Sequence, residues 1–278
     1  MHSNRFRKTI SACVTLLTGV SAAVVIAVLI AILGYIAVTG ISRLNLEFLI
    51  NDPKPIGESG GGIANAIVGS FILIGVASVI GMPVGIMGGL YLAEFASSRF
   101  GMVLRFLIDT LTGMPSIIVG VFVWTIMVKP SGHFSALSGG VSLAIIMTPI
   151  VARTTEEMIR LVPHSMREAA LALGAPVWRV TLGVVLRAAA GGVATGAMLA
   201  IARIAGETAP LLFTALGRSY TSTNISQPIA SLTYQIYYYA GSPYEEWRSM
   251  AWAATLVLVG MILMINVTVK ILARSRRS

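Results

Sequence analysis

Along this chain of 278 residues the clearest pattern is where charge is missing. A membrane-crossing helix needs about 20 consecutive apolar residues, and six stretches qualify. Residues 9–42, 59–93, 110–128, 130–152 and 249–269 carry no Asp, Glu, Lys or Arg. The remaining stretch, 188–217, is apolar except for Arg203 and Glu207 near its middle. Spans are therefore predicted at about 10–38, 63–93, 106–128, 135–152, 188–213 and 249–271, with a long polar segment, 153–187, between the fourth and fifth. Only Lys129 to Ser135 separates the third and fourth, which predicts a helical hairpin. Pro83, Met114-Pro115-Ser116 and Thr148-Pro149 fall inside spans, where a missing amide predicts a bend. The expected fold is all-α, a single integral membrane domain over 1–278.

Composition agrees with that pattern. Charged residues make up 11% of the chain and hydrophobic ones 56%, against about 25% charged in soluble domains. The formal charge of +9 raises nucleic acid as a partner, but the basic residues punctuate apolar stretches and form no continuous face. Topology accounts for them instead. Lys and Arg are retained on the cytoplasmic side of a membrane. Arg5, Arg7, Lys8, Arg99, Arg105, Arg153, Arg160, Arg167, Arg179, Arg187, Lys270, Arg274, Arg276 and Arg277 fall on one side of the predicted spans. Arg43, Lys54, Lys129, Arg218 and Arg248 fall on the other. Both termini are thus expected in the cytoplasm. A cleaved signal peptide is the competing reading of the first stretch, yet its apolar run far exceeds the roughly 7–15 residues of a signal core.

Several chemistries are excluded. The single Cys13 cannot form an internal disulfide, and His2, His133 and His164 have no metal-ligand spacing. No GxxxxGK[ST] loop occurs, so any ATP used must bind another subunit.

Three features carry candidate function. Gly81, Gly85 and Gly89, four residues apart, form a small-residue ridge suited to close helix packing. In the 153–187 segment, Thr154 with Glu157 and Ser165 with Glu168 have capping-box spacing, which predicts two helix starts. The second helix is expected to end before Gly174, a residue suited to a left-handed cap, with Pro176 opening the next. Met166, Ala169, Ala170 and Leu173 then share an apolar face flanked by Arg167 and Glu168, able to lie in a partner's groove or against its own bundle. The third feature is the buried charge. An ionised side chain at mid-membrane costs about 2.5–3.5 kcal/mol on insertion scales. Arg203 and Glu207 are spaced i, i+4 and can neutralise one another, but leucines would be cheaper, which favours a substrate or gating role. Guanidinium suits an oxyanion, gripping two oxygens while staying protonated.

At the outer side, Gly57 to Gly62 (GESGGG) reads as a flexible connector or an anion-attracting helix start. The Tyr- and Trp-rich residues 234–252 read as an interfacial belt or as a dock for a partner.

The motif Glu168-Ala169-Ala170, with Gly174 after three further residues, resembles the EAA loop of permeases in binding-protein-dependent ABC importers. The family's continuation, Ile-x-Leu-Pro, reads Val184, Val185, Leu186 and Arg187 here, without the proline. Together with GGGIANAIVGS, GMPVGIMGGLYLAEF, MPSIIVGVFVW, PIVARTTEEMIRLVP, REAALALGAP and AIARIAGETAPLLFTAL, it makes residues 60–217 similar to phosphate importer permeases of the PstA type. The resemblance implies a type I ABC importer permease architecture with six spans in the inner membrane. It implies a second permease completing the pore and two ATPase copies docked on Ser165 to Gly174. It also implies an extracytoplasmic phosphate-binding protein and a phosphate pathway through Arg203 and Arg153. ATP and Mg would belong to the ATPase, with no cofactor in this chain and no nucleic acid partner. A permease for another oxyanion, a self-sufficient secondary carrier, and an intramembrane enzyme using Glu207 as acid or base are the alternatives. For the last, no nucleophile or metal set is evident.

Overall fold

The computed structural model describes residues 2–55, 57–58, 60–95 and 98–275. Arg276 and Arg277 of the basic tail lie outside the described residues, as do the side chains of Arg5 and Arg274. Taking each uninterrupted helical run as one element, the helices are α1 (His2–Ile41), α2 (Leu46–Ile50), α3 (Ala64–Glu94), α4 (Arg99–Thr112), α5 (Ser116–Ser131), α6 (Ala136–Arg160), α7 (His164–Ala172), α8 (Val177–Ala205), α9 (Ala209–Thr214), α10 (Leu232–Ala240) and α11 (Glu245–Ser275). No strand occurs among the described residues. Five helices are long and apolar enough to cross a membrane, and a sixth span results if α4 and α5 count as one bent element.

That pair departs from the predicted third span. Instead of one helix over 106–128, the chain turns by 106° between α4 and α5. Pro115 explains the break: it supplies no amide hydrogen and pushes Met114 out of helical geometry. Pro83 and Pro149, by contrast, lie within continuous α3 and α6. The fifth predicted span divides too, because α8 stops at Ala205 and α9 starts only at Ala209.

The polar segment is shorter than its sequence suggests. Helix α6 continues to Arg160, and α8 starts at Val177, leaving only 161–176 outside them. Neither capping box forms. Thr154 is interior to α6 and its hydroxyl donates back to the Ile150 carbonyl at 2.9 Å. Ser165 lies within α7, whose N-cap is Pro163 with no side-chain bond. Pro163 itself stops α6, since it cannot donate to the preceding turn.

The centre of the molecule is the parallel pair α3 and α6, held by the glycine ridge. A methyl group added at Gly85 would fall 2.7 Å from Val151 Cβ, and one at Gly81 would fall 3.1 Å from the Ala144 carbonyl oxygen. At Gly89 it would collide with the Ala152 carbonyl. In lipid, burying leucine against leucine gains little, so close backbone approach and dispersion hold helices together. Leu73, Leu143, Met147, Val151, Ala200 and Ile204 fill the contact. Helix α8 runs antiparallel to α6, with Gly192 against Met158 and Gly196 against Thr154. Helix α9 meets α5 where Gly120 abuts Pro210. Helix α1 stays peripheral: it packs on α11, with Gly40 at the Trp252 carbonyl and Tyr35 edge-on to the Trp252 ring at 5.0 Å.

Candidate functional site

At the break between α8 and α9, the last turn of α8 carries Arg203, and Glu207 lies just beyond the helix end. The two are therefore not on one continuous helix face, as their spacing implied, yet they form an ion pair. The partners differ sharply in exposure. Glu207 is 7% exposed and Arg203 57%. The carboxylate is fixed by the fold, and the guanidinium stands on the open face of the chain. The glutamate's backbone is held as well, since its carbonyl accepts from the Thr233 hydroxyl at 2.8 Å. Behind it, Ser70, Ser231 and Thr233 line a cavity of about 10 Å³, room for one water. Ser70 also receives the Leu232 amide at 2.8 Å, which pins the 229–232 segment to α3.

A broken helix in a membrane protein leaves backbone groups unpaired, and such breaks are tolerated where they line a cavity or meet polar ligands. A lone arginine on that face would be costly. The pair makes the empty face neutral while leaving guanidinium hydrogens able to turn to an anion.

Arg153 is elsewhere. It lies near the end of α6, half-exposed, and pairs with Glu156 at 3.1 Å and Glu157 at 3.4 Å. Gly196, which packs on Thr154, precedes Arg203 by seven residues, roughly 10 Å of helix rise. Each arginine has its own carboxylate, Arg203 pairing with Glu207 and Arg153 with Glu156 and Glu157.

Sequence reasoning missed the residue at the centre of that second cluster. Glu156 is 2% exposed and also receives Arg105 at 2.5 Å and Arg160 at 2.8 Å. Its i−3 and i+4 arginine neighbours are visible in the sequence but read there as an ordinary polar helix end. The contribution of Arg105, from α4, is not visible there.

Helix α7 presents the EAA-like motif. Ala170 and Arg167 turn toward the bundle; Ser165, Met166, Glu168, Ala169 and Leu173 are exposed, Leu173 at 89%. Ala170 therefore leaves the apolar face expected of it. Gly174 takes φ +78°, and the bonds from Gly174 to Leu171 and from Ala175 to Ala170 close the helix as a Schellman cap. Arg167 anchors the helix from beneath: it bonds Glu94 at the end of α3 at 2.5 Å and the Ile159 carbonyl at 3.3 Å. A helix held by Arg167 that leaves Met166, Ala169 and Leu173 exposed is suited to docking. Among the described residues, no group of three or more His, Cys, Asp or Glu could hold a metal ion.

Residues 85–278 match the family described as binding-protein-dependent transport system inner membrane component. The chain is 47% identical over 239 residues to the phosphate transport system permease protein PstA of Yersinia pestis, covering 86% of this chain and 81% of that one. A relative of the same name from Xylella fastidiosa strain Temecula1 is 49% identical, with 82% and 79% covered. A probable PstA from Methanocaldococcus jannaschii is 40% identical, with 76% of each covered. Among solved structures, an inward-facing MetNI methionine ABC transporter chain superimposes with a TM-score of 0.61 at 21% identity. That match covers 77% of this chain and 94% of that one, a likeness of fold.

Proposed function

The chain belongs to the inner membrane components of binding-protein-dependent transport systems, and on that premise we propose that it is the permease subunit of an ATP-driven phosphate importer. The relatives named for phosphate transport support the substrate. The observation that carries the mechanism is the Arg203–Glu207 pair at the break of α8. Arginine keeps its charge even in a poorly hydrated site and can grip two phosphate oxygens at once. Glu207 supplies the resident counter-charge, so that phosphate competes for the guanidinium and is released when the pair re-forms. A pathway residue must bind weakly enough to let go.

The open face bearing Arg203 is where a second permease would complete the pore. The excess of Lys and Arg at the α7 end supports a cytoplasmic position for that end and for both termini. There two copies of an ATPase would dock on α7 and its counterpart, bringing the ATP and Mg that this chain has no loop to bind. Because Arg167 ties α7 to the ends of both α3 and α6, movement of the docked helix passes to the tightly packed glycine-ridge pair. Alternating access follows from coupling between those two ends. Phosphate is delivered to the opposite face by an extracytoplasmic binding protein.

The test is phosphate uptake at low external phosphate in cells lacking this gene. Wild type restores uptake, whereas Arg203→Gln at matched expression assembles but does not transport. Normal uptake by the variant would reduce the pair to structure. Competition by sulfate or phosphonate in the same assay separates phosphate from another oxyanion.

A further inference from the structure

At the α7 end of the bundle, α4 is built the wrong way round for a helix facing water. Gly101, Leu104, Arg105 and Ile108 face the protein, with Ile108 and Leu104 packed on Leu92 and Ala152. The opposite face presents Phe100, Met102, Val103, Phe106 and Leu107, each at least 50% exposed. Fourteen residues rise only about 21 Å, short of a roughly 30 Å hydrocarbon core. The 106° turn also sets α4 nearly at right angles to α5, and α4 packs only at the ends of α3 and α6, on Leu92 and Ala152. A short amphipathic helix in that attitude lies in the membrane interface with its apolar face in the acyl boundary.

Beside it lies the basic cluster. Arg105, Arg153 and Arg160 converge on Glu156, and Glu157 reaches only Arg153. Three guanidiniums against two carboxylates leave the group positive, each arginine retaining between 32% and 49% exposure. Arg105 Nε is buried without a hydrogen-bond partner. Basic pockets between membrane helices on the cytoplasmic side take anionic headgroups.

We propose that α4 and the Arg105–Arg153–Arg160 cluster form a binding site for an anionic phospholipid, with its phosphate on the guanidiniums and its acyl chains over the apolar face of α4. The shared chemistry is an oxyanion, and free phosphate could offer the same group. The adjoining apolar face favours the lipid, because inorganic phosphate has no use for it.

The experiment takes the complete importer, loaded with radiolabelled phosphatidylglycerol or phosphatidylcholine and exchanged into unlabelled phosphatidylcholine nanodiscs, and counts retained label. Phosphatidylglycerol is retained over phosphatidylcholine, and excess inorganic phosphate does not displace it. Arg160→Gln, which leaves Glu156 paired with Arg105 and Arg153, weakens retention about fivefold, the worth of ~1 kcal/mol per basic residue at an anionic surface. Phe106→Ser weakens it without touching the cluster. Arg187→Gln, an exposed arginine outside the cluster, leaves it unchanged. Equal retention of both lipids, equal loss in Arg187→Gln, displacement by inorganic phosphate, or no retained lipid because the partner permease covers α4 would each overturn the proposal.

Discussion

The charged side chains divide by what the fold does with each carboxylate. Glu207 and Glu156 are both buried, and each is offered arginine from a more exposed position. Removing one partner of such a pair is what costs energy, because the other is left uncompensated. Glu156→Gln strands three guanidiniums in a small volume. It is expected to destabilise the assembled importer, read as a lowered thermal midpoint in detergent, whereas Arg160→Gln is nearly neutral. An unchanged midpoint in Glu156→Gln would mean that solvent already screens the cluster. Arg203 and Glu207 stood out in the sequence because nothing charged surrounds them. Glu156 did not, because RTTEEMIR reads as an ordinary polar helix end, and its decisive partner, Arg105, lies 51 residues away.

Between helices, the contrast to test lies within α3 itself. Gly89 has no room for a side chain, while Gly75, on the same helix, meets nothing within 4 Å. Gly89→Leu should therefore separate α3 from α6 and cost at least 1–3 kcal/mol, about the usual range for overpacking. Gly75→Leu should be tolerated; yield and thermal midpoint of the purified importer distinguish them. Comparable loss in both variants would point to helix insertion and not to packing. The four-residue glycine spacing was readable, and so was the exposed helix before Gly174. Element ends were harder. Thr154 and Ser165 have capping spacing but sit inside helices, because a hydroxyl caps only where the backbone already leaves the helix, and here Pro163 makes that choice. The break after Ala205 was hidden because Arg203 and Glu207 have the spacing of one helix face, and the turn at Pro115 looked like a bend inside one span.

On the function proposed above, the chain as a whole is one half of a pore. Its most informative cation, Arg203, faces outward from the bundle, and α7, tied down through Arg167, leaves Met166, Ala169 and Leu173 exposed. Reconstituted alone in liposomes, the chain is expected to move no phosphate down an imposed gradient. Uptake should appear only with the second permease, the ATPase and ATP. Gradient-driven uptake by the isolated chain would instead identify a self-sufficient carrier. The same incompleteness extends in time. Helix α1 is exposed at nearly all of its described side chains, and its packing partner α11 comes more than 200 residues later, with Gly40 waiting for Trp252. During synthesis at about 5–20 residues per second, α1 must therefore rest against lipid for at least ten seconds before that surface emerges. A segment made early thus waits for a neighbour made more than 200 residues later. Its sequence answers to the insertion machinery before it answers to the fold, and what the fold then asks of it is local: a glycine at the Trp252 carbonyl and an aromatic ring at Tyr35.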